Sequence, residues 1–166
     1  TAYSVDTAII VVDDASIDNS VDLVSSKFPT VKIYKNEKNE GFASTVNLGV
    51  GRAKGDIVLL LNTDVLPEKN ILAEKNSKIT DTDIFAVGCL DLSMENGVEV
   101  ARGRGIGKFE RGMFIHGRGE FDKTNTLWAS GGSSAFDRKK WLELGGMDEI
   151  YNPFYWEDID LSYRAM

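Results

Sequence analysis

Three carboxylates, Glu157, Asp158 and Asp160, lie within four positions near the end of the 166-residue chain. Aromatic residues occupy positions 154–156 directly before them, and Arg164 follows. One interpretation is a solvated helix whose dipole favours each acid by ~0.3–1 kcal/mol and on which Asp160 pairs with Arg164. The aromatic run favours a walled cleft instead, where repulsion and partial burial raise the pKa of one carboxyl and make it a general base.

Further acids follow the ends of two predicted strands. Asp13 and Asp14 come after the apolar run 7–12, and Asp64 follows the strongest strand of the sequence, 56–62. A carboxylate at Asp13 or Asp14 can accept a hydrogen bond from the imide of a uracil or thymine base. Asp64 suits a hard divalent cation whose shell is completed by phosphate oxygens and water. An ordinary turn aspartate is the alternative at each position.

A glycine and small residues open the predicted helix that begins near Gly41 and carries Asn47 and Gly49. Such an opening lets a phosphate or ribose approach the backbone amides. As a phosphate loop the pattern is incomplete, because neither of the established glycine signatures is present.

Strands alternate with helices along the first 90 residues, which predicts an α/β fold with a mainly parallel central sheet flanked by helices. Ligands bind at the carboxyl ends of the strands in such sheets, where Asp13, Asp14 and Asp64 are expected. The expected strands are 7–12, 31–34, 56–62 and 84–90. The expected helices in the first part of the chain are 21–28, a second that Gly55 caps at its C-terminus, and a weaker one after Pro67. Two more are expected later: a short helix between an N-cap at Asp137 and a C-terminal cap at Gly145, and a last helix that opens at the acidic cluster.

Residues 97–120 differ from the rest, with seven glycines, four arginines and the only histidine, His116. They predict an irregular or hairpin segment near the site. A structural or surface role is the simpler interpretation of His116, and a catalytic role is the alternative.

The composition limits the classes of partner. A formal net charge of -7 argues against nucleic acid, because phosphate contacts need a surplus of Lys and Arg. Cys89 is the only cysteine, which fits a reducing, cytoplasmic compartment. The longest apolar run, 57–61, is too short to span a bilayer, so any membrane association is expected to be peripheral, at the inner face, through regions outside this chain.

Three stretches, taken in order, resemble the family 2 glycosyltransferases of the GT-A fold, a Rossmann-like fold for nucleotide-diphosphate sugars. The stretches are "IIVVDDASIDNS", "NEGFASTVNLGVGRAKGDIVLLLNTDV" and "GGSSAFDRKKWLELGGMDEIYNPFYWEDIDLSYRA". The resemblance implies inverting transfer of a sugar from a UDP- or dTDP-linked donor to a hydroxyl of a glycan, lipid-linked or other acceptor, in polysaccharide or cell-surface glycan synthesis. It also implies a divalent metal, Mn²⁺ or Mg²⁺.

The resemblance assigns roles to individual residues. Asp13 matches the aspartate that contacts the nucleotide base. Asp64 matches the last acid of the Asp-x-Asp metal motif, and Asn62 stands where the first acid often is. The nucleotide-binding set that we predict consists of Asp13, Asp14, Asn39, Gly41, Asn47 and Asn62.

On the acceptor side, Gly131 and Gly132 match a strand that lines the acceptor, and we predict Trp156 and Asp160 to bind the acceptor with them. The Glu-Asp motif of the family matches Glu157 and Asp158, with Asp158 as the candidate base.

The chain departs from the family pattern at its start, where only "TAYSVD" precedes the Asp13 strand. We therefore expect one catalytic domain, 1–166, whose first strand and helix are missing or cut short. Two alternatives stay open. A signalling receiver domain also ends strands in acids, but it needs a later lysine that "IFAVGCLDLS" does not offer. A catalytically inactive nucleotide-sugar-binding module is the other.

Overall fold

The computed structural model describes residues 6–79, 81, 83–120 and 122–166, and the backbone alone of residues 75–77. Residues 1–5, on which the expectation of a shortened opening strand mostly falls, lie outside the described residues. The elements are β1 (Ile10–Asp13), α1 (Ser20–Lys27), β2 (Lys32–Lys35), α2 (Phe42–Arg52), β3 (Ile57–Leu61), α3 (Ile71–Ile79), β4 (Ala86–Gly88), β5 (Asp91–Glu95), β6 (Val98–Arg102), β7 (Gly105–Glu110), β8 (Met113–Arg118), β9 (Ser133–Asp137), α4 (Arg138–Glu143) and α5 (Glu157–Arg164), with a 3₁₀ turn at Glu149–Tyr151.

The helix ends mostly lie where the sequence predicts them. Asp137 caps α4 as predicted, because its carboxylate accepts a hydrogen bond from the Lys140 amide at 2.9 Å. Gly145 takes φ +80° just beyond that helix, as a C-terminal glycine does. The expectation for Gly55 is wrong: α2 ends at Arg52, and Ala53, with ψ 153°, turns the chain into an extended conformation before Gly55 is reached.

The four predicted strands are present as β1 to β4, and β1 pairs with β2 in parallel. β9 departs from the expected parallel order. It lies between β3 and β4 and runs antiparallel to both, so β3 and β4 point the same way. A parallel neighbour requires a crossover connection, commonly a helix, whereas β9 is reached through two hairpins.

The segment 97–120 forms β-structure, which confirms the hairpin alternative. β5 pairs with β6, and β7 pairs with β8, each antiparallel and each joined by a two-residue turn. Both central residues of each turn have positive φ, 50° and 79° at Asn96 and Gly97 and 52° and 79° at Arg111 and Gly112. Two positive φ angles define the type I′ turn, whose twist matches that of antiparallel strands.

The core joins β9 to three helices. Phe136 of β9 and Trp141 of α4 meet edge to face with ring centroids 4.9 Å apart. Val50 of α2, Leu161 of α5 and Met147 complete the cluster, and all five are 2% exposed or less. Burying each large side chain contributes about 1.5–3 kcal/mol, so Leu161 holds the helix that carries the acidic cluster against the sheet. Among the described helices, none has the length and apolar character that a bilayer span requires.

Candidate active site

Asp158 lies in the first turn of α5 and is held by two backbone amides. Its Oδ2 accepts a hydrogen bond from the Gly131 amide at 3.3 Å, and its Oδ1 accepts one from the Ile159 amide at 2.8 Å. Burial raises the pKa of the Asp158 carboxyl, although the two amides and the charge of His116 oppose that shift. The carboxyl is therefore oriented, partly desolvated and more basic than an exposed aspartate.

Glu157 precedes it and is more deeply buried, at 6% exposure. Its Oε2 has no hydrogen-bond partner among the described residues. Burial, followed by the charge of Asp158, raises the pKa of Glu157. Glu157 and Asp158 are thus partly enclosed, and an unpartnered oxygen makes the charged form of Glu157 unfavourable. The aromatic residues 154–156 are themselves exposed.

Asp160 is paired with an arginine in the folded chain, and acceptor binding by Asp160 stays a prediction. Its Oδ2 accepts from Nε of Arg164 at 2.8 Å, the pairing expected from the sequence. The two remaining guanidinium nitrogens of Arg164 donate to the carbonyls of Leu144 and Gly146, each at 2.6 Å. Asp160 therefore orients an arginine that ties α5 to the segment after α4.

Gly131 and Gly132 connect the acidic cluster to the end of β3. The Gly131 amide reaches Asp158, and the Gly132 carbonyl accepts from the Asn62 amide at 2.8 Å. A Cβ on Gly132 would lie 2.7 Å from Nδ2 of Asn62, so a side chain there would displace the amide. The candidate base and the candidate metal turn are therefore linked through two adjacent residues.

Asp64 and Asn62 lie in the exposed turn that follows β3, closed by a 3.1 Å hydrogen bond from the Val65 amide to the Asn62 carbonyl. Among the described residues, no three His, Cys, Asp or Glu side chains gather closely enough to hold a metal ion. The turn thus offers one carboxylate and one amide oxygen. That donor set fits Mg²⁺ or Mn²⁺ held jointly with phosphate oxygens and water.

Asp13 and Asp14, at the end of β1, lie in two different environments. Asp13 is 7% exposed, its Oδ1 accepts from the Ser16 amide at 3.3 Å, and its Oδ2 is buried without a hydrogen-bond partner in the described part of the chain. The nearest cation to that oxygen is Nζ of Lys35, at 3.9 Å. Asp13 therefore keeps an acceptor available at the sheet edge where a nucleotide is expected.

The carboxylate of Asp14 is instead hydrogen-bonded to the loop before α2. It accepts from Nδ2 of Asn36 at 2.8 Å and from the amides of Glu40 at 2.8 Å and Gly41 at 3.0 Å. Partial burial would raise the pKa of Asp14, but these hydrogen bonds outweigh it and lower that pKa. Nucleotide binding by Asp14 stays a prediction, and the contacts favour a role in holding the loop.

The other predicted nucleotide contacts lie on and before α2. Asn39 is exposed in the loop, and Gly41, with φ +87°, begins the helix where a Cβ would lie 2.7 Å from Oδ1 of Asn152. Asn47 exchanges two hydrogen bonds with the backbone of Met147, at 2.8 and 2.9 Å. Its amide is therefore used to join α2 to the turn after α4, and its contact with a nucleotide stays a prediction.

An aromatic cluster lies beside Asp158 and includes Trp156, whose contact with an acceptor stays a prediction; its contacts with Phe114 and His116 were not predicted from the sequence. Trp156 precedes α5 with φ 85°, and its ring meets His116 at 4.6 Å between centroids and Phe114 at 6.0 Å. His116 also contacts Trp128 at 5.6 Å. Phe114 and His116 are two residues apart on β8, so their side chains share a face of the hairpin. This two-residue spacing in the sequence could have predicted that the two rings lie together. A bulky residue at positive φ is strained, which is typical of functional sites.

Comparison with known proteins identifies the family to which the chain belongs. The sequence pattern of glycosyl transferase family 2 matches residues 3–144. An uncharacterized glycosyltransferase of Haemophilus influenzae is 41% identical over 63 residues, which are 37% of this chain and 21% of that protein. The match to the family pattern decides against the receiver-domain alternative.

Several solved structures share the architecture. GalNAc-T7 with UDP, GalNAc and Mn²⁺ superimposes with a TM-score of 0.75 at 20% identity, over 95% of this chain and 34% of that one. The mannosyltransferase PcManGT of Pyrobaculum calidifontis, with GDP-Man and Mn²⁺, gives 0.63 at 20% identity, over 93% and 41%. TarS 1-349 of S. aureus with UDP gives 0.68 at 16% identity, over 95% and 45%. These likenesses confirm the GT-A fold, and the chain spans less than half the length of each protein.

Proposed function

We propose, since the chain belongs to glycosyl transferase family 2, that it forms the part of a glycosyltransferase that transfers a sugar from a nucleotide-diphosphate donor to an acceptor hydroxyl, with inversion at the anomeric carbon. The observation that carries the proposal is the pair Gly131–Gly132. It links the partly buried Asp158 to the Asn62–Asp64 turn, so a base and a site for a diphosphate lie at one edge of the sheet.

The buried oxygen of Asp13 supports a nucleotide at the same edge. A buried carboxylate oxygen without a partner carries a desolvation penalty, which a hydrogen bond from the N–H of a base imide would remove. Uracil and thymine both offer that N–H, whereas cytosine does not. The proposal takes UDP or dTDP as the carrier, in keeping with the donors that the resemblance implies.

The step itself is a single displacement. The acceptor hydroxyl attacks the anomeric carbon while the Asp158 carboxylate takes its proton. The bond from that carbon to the diphosphate oxygen breaks, and the diphosphate leaves with the electron pair. Attack from the face opposite the leaving group inverts the configuration. The raised pKa of Asp158 suits it to this role, because a base is most effective when its pKa approaches the working pH.

The metal would be held by Asp64, with the side-chain oxygen of Asn62 as a neutral ligand. When bound, Mn²⁺ or Mg²⁺ neutralises charge on a diphosphate as a Lewis acid. Asp64 is exposed, which leaves room for phosphate oxygens and water in the coordination shell.

A direct test is to incubate the purified protein with UDP- and dTDP-linked sugars and follow donor consumption. Release of UDP or dTDP that requires a divalent cation and is lost in Asp158→Asn supports an enzyme. Binding of nucleotide without any turnover in the presence of candidate acceptors would favour the inactive binding module. As part of the same proposal, the protein works in the cytoplasm, and any contact with the inner face of the membrane would be made by regions outside this chain.

A further inference from the structure

The ring of Phe42, the first residue of α2, lies against the backbone of Gly131. A Cβ on Gly131 would lie 3.0 Å from Cε1 and 3.3 Å from Cζ of Phe42, and 3.0 Å from Cε of Met147. Carbon atoms in ordinary contact are about 3.5–4.0 Å apart, so the ring and the methionine together occupy the space that a side chain at position 131 would need. The absence of a Cβ is what allows this close approach.

The backbone amide of Gly131 is the group that orients Asp158, because it donates to Oδ2 of that residue at 3.3 Å. This distance is just beyond the usual range of about 2.7–3.2 Å, so a further displacement of Gly131 would weaken the hydrogen bond steeply. The ring of Phe42 leaves the peptide of Gly131 little room to move. Phe42 therefore supports the contact between Gly131 and Asp158.

Phe42 is itself fixed by the segment that leads into the acidic cluster. Its backbone amide donates to the carbonyl of Pro153 at 3.2 Å. Gly41, the preceding residue, packs against Asn152, whose Oδ1 would lie 2.7 Å from a Cβ at position 41. Nδ2 of Asn152 in turn donates to Oγ of Ser44 at 2.7 Å. The first turn of α2 is therefore tied to the chain just before α5.

The same end of α2 is also tied to the nucleotide side of the site. The carboxylate of Asp14 accepts from the Gly41 amide at 3.0 Å. Asp13, which we propose as the contact for the nucleotide base, directly precedes Asp14. Because Phe42 follows Gly41, a single residue separates the loop that Asp14 holds from the ring that packs on Gly131.

We infer that Phe42 is a positioning residue for the proposed transfer reaction, and that it acts through Gly131 to hold the carboxylate of Asp158 in the orientation that proton transfer needs. The inference rests on the proposed function and adds to it a residue outside the predicted site residues. A displacement of about 1 Å in a reacting group can lower a rate by about 10²-fold, so this support affects kcat. Affinity for UDP does not depend on it, because the carboxylate of Asp158 acts on the acceptor.

The test follows the backbone amide resonance of Gly131 by NMR as a function of pH, in the protein without donor. An amide that donates to a carboxylate responds when that carboxylate is protonated. In the parent, the Gly131 resonance should therefore titrate with Asp158, and this titration should disappear in Asp158→Asn. Glu157, on the same turn of α5, and His116, on β8, are the neighbouring groups whose charges interact with that of Asp158. Glu157→Gln and His116→Gln separate their titrations from that of Asp158.

We expect Phe42→Ala to reduce the amplitude of the Gly131 titration by roughly twofold or more and to raise the pKa of Asp158, because the hydrogen bond from Gly131 lowers that pKa. Phe42→Met should retain the behaviour of the parent, since an unbranched side chain of similar length refills the space.

Val50→Ala is the matched control. It shortens a buried apolar side chain of the same helix, eight residues or about 12 Å from Phe42, and should leave the Gly131 titration unchanged. If Phe42→Ala loses its fold by circular dichroism, Phe42→Leu replaces it, because leucine stops short of the ε and ζ positions that contact Gly131.

Steady-state kinetics of sugar transfer give a second measurement. Phe42→Ala should lower kcat by roughly 10- to 100-fold and leave the KM for the donor unchanged within about twofold. The inference is overturned if the Gly131 resonance does not titrate in the parent, if Phe42→Ala keeps the parent titration and the parent pKa of Asp158, or if it transfers sugar at the parent rate.

Calorimetry of UDP on the same samples separates this inference from the proposed function. A protein whose Gly131 titration depends on Phe42 but which binds no UDP would count against the proposed function and not against the contact. UDP binding together with a Gly131 titration that is independent of Phe42 would count against the positioning role alone.

Discussion

The backbone amide of Gly131 donates a hydrogen bond to Oδ2 of Asp158 at 3.3 Å, so the turn before β9 orients this carboxylate of the first turn of α5. The hydroxyl of Ser162, on the same helix, accepts from the Ala129 amide at 3.1 Å. Two contacts between the same pair of segments fix the helix in rotation as well as in position. A candidate base is thereby held in place before any substrate arrives, which is what efficient proton transfer requires.

Replacing Asp158 with Asn keeps the size of the side chain and removes the base. We expect transfer to fall by ~10²–10⁴-fold, the usual contribution of general base catalysis, while donor binding changes little because the loss belongs to the transition state. Steady-state kinetics and calorimetry of UDP measure the two quantities. Glu157→Gln is the companion variant: if it is inactive while Asp158→Asn transfers at the parent rate, then the base is Glu157.

Glu157 should lower stability at neutral pH. Its pKa is raised by burial, so between about pH 4.3, its pKa in the unfolded chain, and the raised value in the fold, the folded state binds more protons. The free energy of unfolding therefore decreases as the pH rises through that window, and the penalty is complete above it. We expect Glu157→Gln to melt higher than the parent at pH 7 and to converge with it near pH 4. Glu149→Gln, at an exposed carboxylate, is the control and should not shift the melting temperature at pH 7.

Removing the carboxylate of Asp13 should weaken nucleotide binding. A hydrogen bond to a charged group contributes about 1.5–3 kcal/mol, so we expect Asp13→Asn to bind UDP roughly 10- to 100-fold more weakly, because the amide offers a poorer acceptor. Calorimetry with UDP and with CDP checks the assignment. Parent affinity for UDP in Asp13→Asn would show that the base binds elsewhere. Asp18→Asn, at an exposed aspartate beyond the strand, should leave the affinity unchanged.

The dependence of UDP affinity on a divalent metal should require Asp64, at the carboxyl end of β3, and not the other end of that strand. We expect Asp64→Ala to abolish the increase in UDP affinity that Mn²⁺ produces in the parent, since that carboxylate is the proposed ligand. Asp56→Ala changes an exposed aspartate at the opposite end of the same strand and should retain the full increase. Titrations of UDP with and without Mn²⁺ measure it, and an undiminished increase in Asp64→Ala would exclude the metal role.

Asn47 should prove structural. Its amide makes two hydrogen bonds with the Met147 backbone, and Asn47→Ala leaves that amide and carbonyl without them. We expect a loss of roughly 1–3 kcal/mol in the free energy of unfolding, measured in urea, with UDP affinity of the folded protein unchanged. Asn39→Ala, in the exposed loop, should leave stability unchanged. A stable Asn47→Ala that has lost UDP binding would instead support the nucleotide role predicted from the sequence.

The sequence by itself determined what depends on neighbouring residues. The alternation of apolar runs placed β1 to β4 and the helices between them, Asp137 and Gly145 marked the ends of α4, and the motifs identified the family and the fold. These signals are local, because a cap, a period or a glycine turn acts within a few positions of the chain. They also placed Asp13, Asp64 and Asp158 at the ends of elements, where ligands are expected to bind.

Only the tertiary structure decided which of those polar side chains already have hydrogen-bond partners within the protein and which can still bind a ligand. Asn47 is occupied by a residue 100 positions away, and Asp14 by a loop 22 to 27 positions away. Asp13, in contrast, keeps a buried oxygen without a partner among the described residues. The antiparallel insertion of β9 and the aromatic cluster beside Asp158 arise in the same way, from segments that meet across the fold. The identity of a residue gives its capacity to bind, but whether that capacity is already satisfied depends on neighbours that the local sequence does not specify.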